Sequence, residues 1–190
     1  MSMTRVRRIA RRALEALLAA LILGTLALVG LAHVVPASGH PVLIIRSGSM
    51  TPAIPVGAAI VLDPVSPSGV QVGDVVTMRL NGAIFTHRVT RLVSLQQVAY
   101  VETKGDANST VDPALTPVDH VIGRVSLTLP LVGFLMAGLA TPAGYATVLL
   151  ACLTLFAALW LLDPDEAPVT EPVPSSFAVP SRRRLLPWAW

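Results

Sequence analysis

Apolar positions fall along this chain in two long blocks, with an alternating stretch between them. The first block, residues 13–35, reads ALEALLAALILGTLALVGLAHVV and carries one acid, Glu15, near its start. A helix of that length crosses a bilayer, which takes roughly 20 apolar residues. A cleavable signal peptide is the rival reading, but its apolar core runs only about 7–15 residues, and an uncleaved anchor is the better fit. The second block, residues 129–162, is broken at Thr141-Pro142. Its later part, residues 143–162, holds no charge and predicts a second membrane helix. Residues 129–140 fit either an interfacial segment or the start of a long, broken helix. Between the blocks, residues 36–128 read as short runs rich in Val, Ile and Thr, such as DVVTMRL, AIFTHRVTRLV and QVAYVETKG. Gly, Pro, Asn and Asp punctuate them, the pattern of strands and turns. LNGA, residues 80–83, predicts a hairpin, because Asn-Gly accepts the positive φ of a tight turn. No stretch of this middle region has a helical period.

The expected organisation is therefore an all-β domain tied to the membrane at both ends, and charge adds a direction. Residues 1–12 form a basic N-terminus, with five arginines in residues 5–12. Residues 163–190 are rich in Pro and acids and end near RRRLL, which predicts a disordered tail. Basic flanks stay in the cytoplasm. Two spans would keep both arginine clusters inside and put the β-domain on the extracytoplasmic side of the cell membrane, as a multi-pass protein.

Composition agrees with membrane residence: 53% of the 190 residues are hydrophobic and 13% charged. The net charge of +3 comes mainly from the two terminal clusters, with no basic stripe interleaved with aromatics. Nucleic acid is therefore not an expected partner. Cys152 is the sole cysteine, so the chain has no internal disulfide and no thiolate metal site. No metal and no cofactor is expected.

The candidate chemistry begins in IIRSGSMTPAIPVG, residues 44–57, where a β-branched run ends in Ser-Gly-Ser-Met. Serine catalysis needs a hydroxyl, a base and donors for the oxyanion. Ser49 is the leading hydroxyl, with its own N–H and the Ser47 hydroxyl as oxyanion donors. A plain turn explains Ser-Gly as well. Of the four histidines, His33, His40 and His120 read as ordinary surface or interface groups. His87 lies mid-strand in IFTHRVTRL, near the middle of the sheet, where a packed side chain is the ordinary role. Lys104 is the only lysine that could replace it as base. Asp106 and Asp112 share the loop TKGDANSTVDP, residues 103–113. That loop lacks the alternating acids and terminal glutamate of a calcium loop, and a carboxylate that orients a histidine fits it better.

In their order, SGSMTP, VGDVVTMR, THRVTRL, TKGDANSTVD and VIGRV resemble type I signal peptidases, in the branch of the endoplasmic reticulum, archaea and some Gram-positive bacteria. The resemblance covers roughly residues 42–125. It implies a signal-peptidase-like β-fold, Ser49 as nucleophile and His87 as general base where the common bacterial branch has lysine. It also implies acids from the Gly-Asp loop, with Asp112 the favoured partner of His87. Asp106 would hold the loop or share that role. The family often has Gly-Asp shortly after its serine box, whereas this chain has Gly57-Ala58. The tail and the second membrane segment lie outside the resemblance.

The implied activity is removal of signal peptides from exported preproteins by a serine endopeptidase. An extended substrate would pair with the strand edge at residues 44–47, with Ile44, Ile45, Arg46 and Met50 as substrate-binding residues. Small residues would stand at the first and third positions before the cut. Met50 could equally touch the outer membrane surface or pack in the core. Expected partners are exported preproteins and the lipid bilayer, with the secretion translocon an open candidate. Two alternatives remain: a dedicated processing peptidase for a few pilus or matrix proteins, and a non-catalytic membrane-anchored assembly module.

Overall fold

The computed structural model describes residues 3–80 and 82–162. Asn81, residues 1–2 and the tail from residue 163 lie outside the described residues, so the hairpin role of Asn81 and the expected tail are not addressed. Seven strands form one antiparallel sheet: β1 Val42–Ile44, β2 Ala59–Asp63, β3 Val75–Leu80, β4 Ala83–Leu95, β5 Val98–Lys104, β6 Thr116–Pro117 and β7 Val121–Leu129. Their order across the sheet is β1-β2-β7-β3-β4-β5-β6. All the strands lie within the region whose alternation predicted them, and β4 has a neighbour on each side. Leu80 pairs with Ala83, so β3 and β4 meet where LNGA predicts a hairpin.

Two apolar clusters hold the sheet. Val70, Val76, Met78, Val89, Val101 and Val118 form one. Met50, Ile54, Ala58, Ile60 and Leu62 form the other. Strand parity separates them, because alternate side chains point to opposite faces: Val76 belongs to the first cluster, while Val75 packs against the second. The Thr77 and Thr86 hydroxyls stand opposite each other at 2.8 Å, a buried pair that satisfies both groups.

α1, Met3–Ala37, is longer at both ends than the apolar run that predicted it, so the basic N-terminal residues from Arg5 on are helical. Arginine and alanine are good helix formers, and nothing before Pro36 breaks the run. α3, Pro142–Leu161, matches the second expected span, with Thr141 capping it through the Gly144 N–H at 3.0 Å. Both helices are long and apolar enough to cross a membrane, and the window that qualifies each is unburied. They run antiparallel: Arg7 Nε donates to the Leu162 carbonyl at 3.1 Å.

Residues 129–140 divide between a strand end and a helix that the Thr141-Pro142 break separates from α3. Leu129 ends β7, and Val132–Leu139 forms a separate short helix, α2. It docks closely on Gly57-Ala58. Gly57 has φ +80°, and a Cβ there would collide with the Phe134 ring of α2. A Cβ on Gly133 would stand 2.7 Å from the Gly57 carbonyl. Ala58 is fully buried, where an aspartate would be a charge without solvent. The two glycines let α2 press against the segment behind β1.

Candidate active site

Three separated segments converge on one group of side chains. Ser49 lies in the turn after β1, His87 in the middle of β4, and Asp112 in the loop after β5. The His87 Nε2 atom is 3.1 Å from Ser49 Oγ, and His87 Nδ1 is 2.6 Å from Asp112 Oδ2. An ionised carboxylate only accepts, so Nδ1 carries the proton and donates to Asp112. Nε2 is then the acceptor for the Ser49 hydroxyl. The His87 and Asp112 side chains are 11% and 17% exposed, so water competes weakly for this contact.

The loop between β5 and β6 sets two of these positions. The Ala107 N–H donates to the Ser49 carbonyl at 2.8 Å, and the Asp112 N–H donates to the Thr103 carbonyl at 2.8 Å. Gly105 permits the close approach: a Cβ there would lie 2.7 Å from the Ser49 carbonyl oxygen and 2.8 Å from Asn108 Nδ2. The fully buried Thr103 donates its hydroxyl to Asp112 Oδ2 at 2.6 Å. Asp112 is thus fixed by two donors. The Phe85 ring stands edge-on to His87, with centroids 5.5 Å apart, and limits imidazole rotation.

Asp106 takes a different partner. Arg88 grips it with two nitrogens, Nε to Oδ1 at 2.9 Å and Nη2 to Oδ2 at 2.7 Å, and also reaches the Gly73 carbonyl at 3.0 Å. The hydrogen bonds from Arg88 hold the Asp106 carboxyl below its ordinary range, and the same contact raises the guanidinium. Asp106 therefore ties the loop to β4, and among the described residues it has no hydrogen bond to His87. Lys104 stands opposite Arg88 in the β4–β5 register and has no hydrogen bond to Ser49 among the described residues.

The Ser47 hydroxyl is 3.4 Å from Ser49 Oγ, and the Ser49 N–H meets no protein acceptor among the described residues. Both expected oxyanion donors are thus at the serine, with the N–H unengaged. A cleft of about 650 Å³ opens beside them, and its walls include Ile44, Ile45, Arg46, Met50 and His87. Its size suits a few residues of a peptide. Met50 is 1% exposed and belongs to the second cluster, so it packs in the core while lining the floor of the cleft. β1 forms one edge of the sheet. Only Ile44 of the expected residues 44–47 is regular strand; Ile45 continues the pairing through its bond to the Ala58 carbonyl at 2.9 Å.

His33 and His120 lie away from this cluster, and His40 faces Asp63 at 3.8 Å. Among the described residues, no three His, Cys, Asp or Glu side chains gather to hold a metal. Thr103, Phe85, Arg88 and Gly105 complete the site but were not anticipated. The usable signals were adjacency, since Arg88 follows His87 and Gly105 precedes Asp106. Chemically, the arrangement can activate a hydroxyl against a carbonyl carbon. No family model matches the chain, and no curated protein matches it.

Proposed function

We propose that this chain is a membrane-bound serine endopeptidase of the signal-peptidase type, which removes N-terminal signal peptides from exported preproteins. The observation that carries the reading is the relay from Ser49 Oγ through His87 to Asp112, at 3.1 and 2.6 Å. A non-catalytic assembly module needs no such alignment.

In this mechanism the substrate lies extended beside β1, its scissile carbonyl over Ser49. His87 Nε2 takes the hydroxyl proton as Oγ attacks the carbonyl carbon. The Ser49 N–H and Ser47 hydroxyl stabilise the oxyanion. Asp112 holds the imidazole orientation and favours its cation. The imidazolium then gives its proton to the leaving amine as the C–N bond breaks. Water, activated by the same imidazole, cleaves the acyl ester and restores Ser49.

The antiparallel helices support a matching topology, because α1 and α3 bring the arginine-rich end and Leu162 to one side. With that side cytoplasmic, the cleft faces outward, where a signal peptide emerges.

The test is cleavage of a preprotein from the same source in membranes carrying wild type, Ser49→Ala, His87→Ala or Lys104→Ala. Loss at Ser49 and His87, with cleavage kept at Lys104, is the expected result. Normal processing by His87→Ala would remove the reading. A wild type that neither cuts nor reacts at Ser49 with a peptide-like acylating inhibitor would favour the assembly module.

A further inference from the structure

Two residues, Ile44 and Arg46, line both the cleft beside Ser49 and a second cavity. This second cavity, of about 440 Å³, lies between α1, α2 and the start of α3. Leu28, Met136 and Leu139 give it apolar walls. Among the described residues, neither cavity has an aspartate or glutamate in its lining. Among the described residues, Arg46 is the one lining residue of either cavity with a permanent charge; His87 and His33 are the other titratable bases there. Arg46 is exposed and has no carboxylate within salt-bridge distance among the described residues. A guanidinium is charged at every relevant pH and offers five donors that match a carboxylate. Its place is the junction between an apolar chamber and the reacting serine.

We infer that Arg46 is a specificity-determining residue that selects an acidic side chain in the substrate, between its apolar segment and the cut. This deepens the peptidase reading and rests on it. The described residues supply no counter-charge at this position, so a substrate carboxylate gains an ion pair there and a substrate lysine meets repulsion. Because Arg46 is solvent-exposed, the expected preference is modest. A pair at the upper end of the exposed range corresponds to about fivefold. A lipid phosphate has the same chemistry as a carboxylate for a guanidinium, so the test separates the two.

The experiment uses the full chain in vesicles. Ser49 is labelled with a small neutral fluorophosphonate, and unlabelled peptides compete. Each peptide has an apolar stretch and alanines at the first and third positions before the cut. Asp, Asn and Lys are scanned through the residues between. Inhibition constants are compared as ratios within each variant, so a change in labelling rate does not matter. Wild type is expected to bind Asp about fivefold tighter than Asn at one position, and Lys correspondingly weaker. Arg46→Glu should reverse that order, and Arg46→Gln should flatten it, which also covers any failure of the charge-reversed chain to fold. The same ranking in wild type and both variants would overturn the inference while labelling leaves the serine-hydrolase reading intact. If Ser49 does not label in wild type, that reading fails and takes the inference with it. The series is run in phosphatidylcholine with and without phosphatidylglycerol. A peptide preference abolished by the anionic lipid would assign Arg46 to a phosphate headgroup and overturn the inference.

Discussion

Replacing Asp112 by asparagine tests the relay most directly, because the substitution keeps the shape and removes the charge. Asp112 Oδ2 receives the His87 Nδ1 proton at 2.6 Å and the Thr103 hydroxyl at 2.6 Å. An asparagine oxygen can accept both bonds, so the imidazole tautomer can survive. What is lost is the anion beside the imidazolium that the proposed mechanism forms as Ser49 attacks. Two unit charges about 4 Å apart interact by about 4 kcal/mol at an effective dielectric of 20. At about 1.4 kcal/mol per decade, that predicts a fall in acylation rate of about 10³. Asp106→Asn, on the same loop, should change the rate only a few-fold, since its carboxylate binds Arg88. Thr103→Val should fall between them, because losing one hydrogen bond to a charged group costs about 1.5–3 kcal/mol. The assay is the rate of Ser49 acylation by a peptide-like inhibitor, with circular dichroism to confirm folding. A folded Asp112→Asn within tenfold of wild type would refute the argument, as would a 10³ loss in Asp106→Asn.

Three further outcomes follow from the packing and the ion pair. Gly105→Ala places a methyl 2.7 Å from the Ser49 carbonyl oxygen, so the loop must shift, and Ser49 acylation should fall at least tenfold with a small change in melting temperature. A large loss of stability at unchanged acylation would contradict this. Gly57→Ala combines a positive φ with a collision against Phe134 and should destabilise the chain by about 2 kcal/mol or more; a melting temperature equal to wild type would show that α2 is not seated there. The lowered Asp106 carboxyl adds stability above the ordinary carboxylate range, near about 3.9, and loses it as pH falls through its own lower value. The melting-temperature gap between wild type and Asp106→Asn should therefore be present at neutral pH and shrink in acid, and a gap independent of pH would count against the Arg88 pair.

Legibility from sequence followed the range of the interactions involved. The strands and both long helices were readable because their patterns are local: alternation with turn residues in one case, unbroken apolar runs in the other. α2 was not, since VGFLMAGL is apolar almost throughout and no period assigns it a face. Its position depends on Gly57 and Gly133 meeting, a contact between residues far apart in the chain. Ser49 and His87 were legible as a pair through the order of their motifs. Thr103 was not, because a strand threonine beside a polar loop has no mark of its own.

The choice between Asp106 and Asp112 shows why the remaining detail needed coordinates. Both acids lie on one turn-rich loop, and either could reach a histidine on the neighbouring strand. Strand parity separates them: His87 and Arg88 are adjacent in β4, so their side chains leave opposite faces of the sheet. Each then draws its own carboxylate, Asp112 to the imidazole and Asp106 to the guanidinium. The Arg88 pair fixes the near end of the loop, while the Asp112 N–H bond to the Thr103 carbonyl fixes its far end. Between them, Ala107 holds the Ser49 carbonyl. The loop is thus restrained at three points with no ligand bound, which for the proposed mechanism means a geometry set in advance rather than assembled by binding. In the proposed mechanism that arrangement would give Asp106 a positioning role, separate from the part assigned to Asp112.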